Sequence, residues 1–477
     1  VIGRHGWILA VALALAGCMV GPDYVRPDVD TPAAYKEMAG WKPAEPRDQL
    51  ARGQWWEMFG DRELDMLAAR VDVSNQTIKI AEANFRQARA VAEQARSGLF
   101  PTVNAGASAF RTRSPSGSGS PAVTSSNYDL AASASWEIDL WGRVRRGIES
   151  GEANWQASAA DLESVRLSSQ AALVQTYIAL RLADAQRRLL EETVAAYERS
   201  LRLTRNRYAA GVAARVDVVQ AEVQLKSAQA QLVDIGLERA QFEHAIAVFI
   251  GAPPASVAIP PATRVVAVLP AIPVGVPSEL LERRPDIAAA ERAVAAANAQ
   301  IGIAQAAFYP ALTLSAVGGY RSGSFADWLS APSWFWSLGA SLAQTLFDGG
   351  LRRAVSDQAI AAYDGQVAQY RQTVLAGFQE VEDSLAALQI LAEEARYLEE
   401  ATRAARQSVE LTTNQYEAGI VSFLNVIAAQ TIALNNERTL LNVQGRRFLA
   451  SVQLVRAMGG GWDARALEDL RLSATGR

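Results

Sequence analysis

Two periodicities alternate along the chain. From Asp61, a candidate N-cap, apolar residues recur at helical spacing through Leu64, Leu67 and Ala68. A second helical start near Asn75 leads into a run ending at Gly98, just before Phe100-Pro101. The period then drops to two. Tyr128, Leu130, Ala132, Ala134, Trp136, Ile138 and Leu140 occupy one face, while Asp129, Ser133, Ser135, Glu137 and Asp139 fall on the other. Val103, Ala105, Ala107 and Ala109 form a weaker partner, separated by a Ser/Gly/Pro loop. These positions predict a β-hairpin over about 101–141.

The same order returns further along. Leu312, Leu314, Ala316 and Tyr320 alternate with polar residues, as do Trp334, Trp336, Leu338, Ala340 and Leu342, predicting a second hairpin over about 310–347. Each hairpin precedes a long helical pattern, about 143–208 and 350–416, reaching roughly 100 Å at about 1.5 Å per residue. Both end in Tyr-x-x-Gly and return through shorter helices, about 213–250 and 421–458. Tyr208 with Gly211 matches Tyr416 with Gly419, Phe100-Pro101 matches Tyr309-Pro310, and Gly251 matches Gly459, all at an offset of about 208 residues. A duplicated unit this large is no short solenoid repeat. The expected division is a signal peptide over 1–17, an extended segment over 18–60 and a first repeat over 61–251. A Pro-rich link over 252–276, a second repeat over 277–459 and a tail over 460–477 follow.

Composition removes several function classes. Net charge is −4 and no Lys/Arg run occurs, which excludes a nucleic-acid footprint. The only cysteine is Cys18 and the only histidines are His5 and His244, so an internal disulfide cannot form and a His/Cys zinc site would have to rest on His244 alone. His244, alone on a helical pattern, reads as structural. The apolar run from Trp7 to Ala16 is too short to span a bilayer. It ends in Leu15-Ala16-Gly17-Cys18, which resembles the bacterial lipobox and makes Cys18 a candidate for acylation. Met19 after it suggests sorting to the outer membrane. No cofactor is expected beyond that covalent lipid.

Four strands flanked by tryptophan and tyrosine have the length and decoration of bilayer-crossing strands. They cannot enclose a pore, and an open edge in lipid leaves amide groups without partners. Three copies would supply twelve strands and room for a channel. The long helices are too polar to cross a membrane, and Ala-rich faces such as Ala171-Ala172 suit close coiled-coil packing. Two other readings stay open at this point. One is a periplasmic coiled-coil adaptor or scaffold lipoprotein without a pore. The other is a glycosidase using Glu137 and Asp139 as paired carboxylates.

Several stretches resemble the outer-membrane efflux proteins typified by TolC, in their lipoprotein branch. The most specific is Leu280-Leu281-Glu282-Arg283-Arg284-Pro285-Asp286-Ile287, continuing through Ala296-Ala297-Asn298-Ala299-Gln300-Ile301-Gly302. Trp55-Trp56, Trp136 through Arg143, and Gly459-Gly460-Gly461-Trp462 are also similar. The resemblance implies a mainly α fold with a small β part. The architecture it implies is a trimeric 12-stranded transmembrane β-barrel continuous with a long periplasmic α-helical barrel, with a mixed α/β equatorial girdle. It also implies a passive exit duct served by a periplasmic adaptor and an inner-membrane pump of the resistance–nodulation–division type. Arg207, Tyr208, Gly211 and Val212, with Tyr416, Gly419 and Ile420, match the adaptor-docking tips. Leu424, Asn425 and Ala428, with Asp217, match the periplasmic gate, where family members often carry aspartates. Neutral Asn425 and Ala428 favour an apolar constriction at Leu424. Arg283, Arg284, Pro285 and Asp286 match a structural signature that fixes a helix start.

Overall fold

The computed structural model describes residues 19–37, 54–115, 122–262 and 280–462, together with positions 269, 272, 277 and 467. The signal peptide, Cys18, most of the inter-repeat link and nearly all of the tail lie outside the described residues. A 3-10 turn, Trp55–Phe59, is followed by α1 (Arg62–Ser74), α2 (Gln76–Ser97), β1 (Thr102–Ser114) and β2 (Val123–Ile138). Next come α3 (Arg143–Ala209) and α4 (Arg215–Phe249). The second repeat supplies α5 (Leu280–Arg283), α6 (Pro285–Ala306), β3 (Ala311–Ser322), β4 (Trp334–Ala343), α7 (Leu351–Glu417) and α8 (Phe423–Ala457). Helices α3 and α7 are each 67 residues long, and α4 and α8 are each 35, so the duplication extends to element length.

The expected caps are in place. Asp61 accepts from the backbone N–H groups of Glu63 and Leu64, and Asn75 Oδ1 accepts from Thr77 and Ile78. Each satisfies two of the donors that a helix start leaves open. One strand boundary differs from expectation. β2 ends at Ile138, and Asp139 leaves the sheet face to accept from the N–H groups of Val144 and Arg145 at 3.1 and 2.9 Å. The open donors at the start of α3 compete successfully for that carboxylate. Asp348 does the same for α7, accepting from Gly350 and Arg352.

Two compact units emerge, and they cut across the sequence repeats. Among the described residues, the first comprises those through Asp28, with Asn84–Ser158 and Ala289–Tyr370; the second holds the other described residues. In the first unit, β1 to β4 form one antiparallel sheet in sequence order. Register merges the four apolar faces. Val103 opposes Ala134, which opposes Ala316, which opposes Leu338. Trp136 opposes Leu314, itself opposite Ala340. Because side chains alternate with period two, this register puts every expected apolar position except Leu140, which lies past the end of β2, on one side. That side is open to the surroundings, with Leu338 75% and Trp336 67% exposed. The other side carries serines, glycines and an Asp129–Arg321 pair at 2.6 Å. The N-terminal arm packs against this unit's helices. There Tyr24 donates to Glu291, and burial, reinforced by that carboxylate, raises the phenol's pKa.

In the second unit the two repeats close in matching ways. Asn75 Nδ2 donates to the carbonyl of Phe249 at the end of α4, at 2.8 Å. At the equivalent place Arg284 Nη1 donates to the carbonyl of Ala457 at the end of α8, at 3.1 Å. The following Gly251 and Gly459 have positive φ, and a Cβ at either would collide with the backbone of Ser74 or Arg283. Glycine is therefore required twice, at equivalent points.

A buried ion network ties α1, α3, α4 and the start of the link together. Arg181 and Asp184 are almost fully buried. Arg181 donates to Glu63 at 2.5 Å, to Asp184 at 3.1 Å and to the carbonyl of Pro260 at 2.8 Å. Asp184 also receives Arg239 at 2.7 Å and the N–H of Ala262 at 3.2 Å. Removing one partner of a buried pair strands the other's charge, at about 3–5 kcal/mol. Asp184→Ala is expected to destabilise the protein by about that amount. A clear fall in melting temperature by circular dichroism checks it, and an unchanged melt contradicts it.

Candidate functional site at the paired helix turns

Helices α3 and α7 both end in the same hydrogen-bonded device. Gly211 donates to the carbonyl of Tyr208 at 2.9 Å, and Val212 donates to Arg207 at 2.8 Å. Gly419 donates to Tyr416 at 3.0 Å, and Ile420 donates to Gln415 at 2.9 Å. This is the Schellman arrangement, with a left-handed glycine after the helix. Gly211 and Gly419 have φ of 73° and 77°. Two orphan carbonyls are satisfied at each turn, so the chain reverses without help from a partner.

Beneath the turns lies a compact apolar cluster that includes Tyr197, Leu201, Leu225, Tyr416, Phe423 and Val426. Tyr416 is 4% exposed, its ring 5.3 Å from that of Phe423. Its place is therefore in the packing under the turns, whereas Tyr208, Val212 and Ile420 lie exposed at their surface. Arg207 does something the sequence did not reveal. Its guanidinium lies 4.8 Å from the Tyr416 ring centroid and donates to the carbonyl of Glu417 at 2.7 Å. One cation thus bridges the end of α3 to the end of α7. Gln415, its counterpart in the second repeat, has no such charge; that asymmetry is the one signal in the sequence.

The expected gate residues share one face. Leu424, Asn425 and Ala428 are exposed at the start of α8, while Phe423 and Val426 turn inward to the cluster. Asp217 occupies the matching first turn of α4, and its N–H donates to Ala214 as that of Asn425 donates to Ser422, both at 3.1 Å. Gln224 donates to Thr431 at 3.3 Å and Arg438 to Gln231 at 3.0 Å. Contacts between near-equivalent positions of the two repeats mean that α4 and α8 run side by side in parallel. That is the geometry of neighbouring staves in a helical wall.

The remaining sequence-selected residues are structural or committed elsewhere. Pro285 opens α6, where its missing N–H costs nothing. Arg284 is held by Asp286 at 2.6 Å and by Glu380 at 2.8 Å. Burial alone would lower its pKa, but these carboxylates outweigh it and raise the value. Arg283 contributes its backbone to the closure against Gly459. Glu137 pairs with Arg143 at 2.6 Å, and Asp139 is occupied with the start of α3 and with Arg145. No pair of free carboxylates faces a common cleft there.

One unit offers a four-stranded sheet with one open apolar face, and the other offers paired helical staves with self-contained turns. The profile of the outer membrane efflux proteins matches residues 67–252 and again 276–460, once for each repeat. The chain belongs to the outer membrane efflux protein family. It is 31% identical over 460 residues to the probable efflux pump outer membrane protein TtgC of Pseudomonas putida, with 95% of both chains covered. Identity is 32% over 460 residues to the outer membrane protein OprJ of Pseudomonas aeruginosa, again covering 95% of each. Among solved structures, the outer-membrane channel OprN superposes with a TM-score of 0.87 at 32% identity, covering 93% of this chain and all of that one. The efflux protein sits in the bacterial outer membrane and reaches into the periplasm. It is the exit duct of an efflux pump, with a trimeric twelve-stranded barrel continuous with a helical barrel. The scaffold reading is not favoured, since it gives the open apolar sheet no role.

Arg207 holds the two turns of one protomer together. Arg207→Ala is therefore expected to let them separate more readily and to raise trimer conductance several-fold in planar bilayers. Conductance equal to that of the wild type would show that the bridge does not restrain the mouth.

Proposed function

We propose that this duct works as a homotrimer that receives small molecules, drugs among them, from an inner-membrane pump of the resistance–nodulation–division type through a periplasmic adaptor. The observation that carries the reading is the sheet itself, with an apolar face and two edges that only lipid and sister copies can satisfy. The printed description of TtgC as an efflux pump component supports a place beside a pump. Tyr208, Gly211, Val212, Gly419 and Ile420 form the surface that meets the adaptor, while Arg207 and Tyr416 stiffen it from below. The chain carries out no chemistry of its own and needs no cofactor.

Leu424 narrows the periplasmic mouth as an apolar ring, with Asn425 and Ala428 on the same helical face and Asp217 set beside it in the first repeat. Such a gate keeps one carboxylate per chain, Asp217, and has none in the second repeat, which leaves too few hard oxygen ligands to hold a divalent cation tightly. Purified protein in planar bilayers is expected to conduct as a trimer and to show weak block by millimolar divalent cations from the periplasmic side. Absence of any conductance would overturn the duct. Strong divalent block would leave the duct standing and overturn the apolar gate.

Cys18 is the site of acylation. The support comes from the residues directly after it. Val20 donates to the carbonyl of Trp141 at 3.0 Å, between β2 and α3. Trp141 stacks on Tyr309 with centroids 4.8 Å apart and donates to Pro310. The described start of the arm, at Met19 and Val20, thus lies at an aromatic level suited to a membrane interface. Intact mass of the mature protein is expected to exceed the polypeptide mass by attached acyl chains, and Cys18→Ser is expected to abolish the excess. An unacylated wild type would refute the assignment.

A further inference from the structure

The outward face of β1 changes character along its length. After Val103, Ala105, Ala107 and Ala109, the same face continues with Arg111 and Arg113. Arg111 opposes Ser126 and Arg113 opposes Thr124, while Ala109 opposes Tyr128, so parity keeps both arginines on the lipid side. Both are exposed, and neither forms an ion pair or hydrogen bond through its side chain among the described residues. Arg321 on the opposite face makes the contrast. It is held by Asp129 at 2.6 Å and lies 4.6 Å from the Phe335 ring centroid.

Depth shows why two unpaired cations can stand on a lipid-facing strand. A strand tilted by about 40° climbs roughly 2.5 Å per residue along the membrane normal. The apolar face begins roughly 10 Å below Val103, at Ile138, Leu312 and Leu342, so Arg111 and Arg113 stand roughly 30 and 35 Å above its foot, beyond an apolar band about 25 Å tall. Near mid-bilayer each would cost about 2–4 kcal/mol, whereas at the interface the cost falls towards zero. Aromatic rings gather at the same end of the sheet, with Tyr320 against Trp334 at 5.4 Å and Tyr128 against Phe325 at 5.5 Å. That is the level of the outer-leaflet headgroups.

We propose that Arg111 and Arg113 form a binding site for the phosphate of an outer-leaflet lipid, one site per protomer. The planar guanidinium fork matches phosphate oxygens in a bidentate manner. Below it the same face is an apolar track for the lipid's acyl chain, from Ala109 opposite Tyr128 and Ala107 opposite Leu130 to Ala105 opposite Ala132 and Val103 opposite Ala134. The track favours a lipid over free phosphate, since only a lipid engages head and track together.

Native mass spectrometry of the detergent-purified trimer, titrated with bisphosphorylated lipid A, tests this. Wild type is expected to retain the lipid, and R111Q/R113Q to bind it about tenfold or more weakly, as expected for lost charge-assisted hydrogen bonds. Dephosphorylated lipid A is expected to bind both proteins equally weakly, and millimolar inorganic phosphate to displace little of the parent lipid. R111K/R113K keeps the charge but loses the fork, and is expected to be several-fold weaker than wild type. It also serves as the test should the glutamine variant fail to assemble. Equal retention by wild type and either variant, indifference to dephosphorylation, or displacement by submillimolar phosphate would overturn the proposal.

Discussion

Everything in this molecule follows from the need of backbone amides for partners where no water is available. β1 and β4 each present an unpaired edge, and in hydrocarbon an unsatisfied peptide group costs several kcal/mol. A single chain cannot meet that demand, because a four-stranded sheet has two edges however it is twisted. Closure requires sister copies, and twelve strands leave a water-filled interior where eight would be plugged by side chains. The polar inner face, with its Asp129–Arg321 pair, is affordable only because that interior is wet.

The same constraint explains the division of labour between sheet and helices. Helices α3 and α7 satisfy their own backbone and therefore place few demands on their neighbours. Their ends are closed by glycine turns, and each repeat is locked by a donor reaching the end of its return helix: an amide from Asn75, a guanidinium from Arg284. One lock is neutral and shares its side chain with a helix cap; the other is cationic and needs Asp286 and Glu380 to balance it. Duplication has thus conserved the bond and its acceptor while the donor chemistry differs. The geometry of closure, rather than the residue, is what both repeats share.

Much of this was legible in the sequence, and for local reasons. Asp61 and Asn75 as caps, Gly211 and Gly419 as left-handed ends, and the period-two strands all depend on residues within a few positions of each other. Which side of each strand is apolar followed too, because side chains alternate with period two. What the sequence concealed depends on direction in space. Asp139 continues the polar alternation of β2, yet serves the start of α3, since uncapped helix donors outbid one more strand residue. Tyr416 shares the Tyr-x-x-Gly pattern of Tyr208 but is buried, because α8 brings Phe423 beneath it. The Arg181–Asp184–Arg239 network joins residues from separate elements and has no periodic trace at all.

The two turns illustrate how a near-symmetric frame can acquire an asymmetric function. Both share the paired Schellman bonds and similar left-handed angles, and the first adds only a longer bond from Ala213 to the carbonyl of Arg207 at 3.2 Å. The difference lies in one position, Arg207 against Gln415. A charged donor lying over an aromatic face and bonded to a carbonyl is directional, and it runs from the first repeat to the second only. The bond ends on the backbone of Glu417, so its strength depends on the relative position of α3 and α7, whatever side chain stands at 417. A force that draws the turns apart lengthens this contact while the internal bonds of each turn stay intact. Separating the turns also opens the apolar cluster beneath them, where Tyr197, Leu201 and Leu225 of the first repeat meet Tyr416, Phe423 and Val426 of the second.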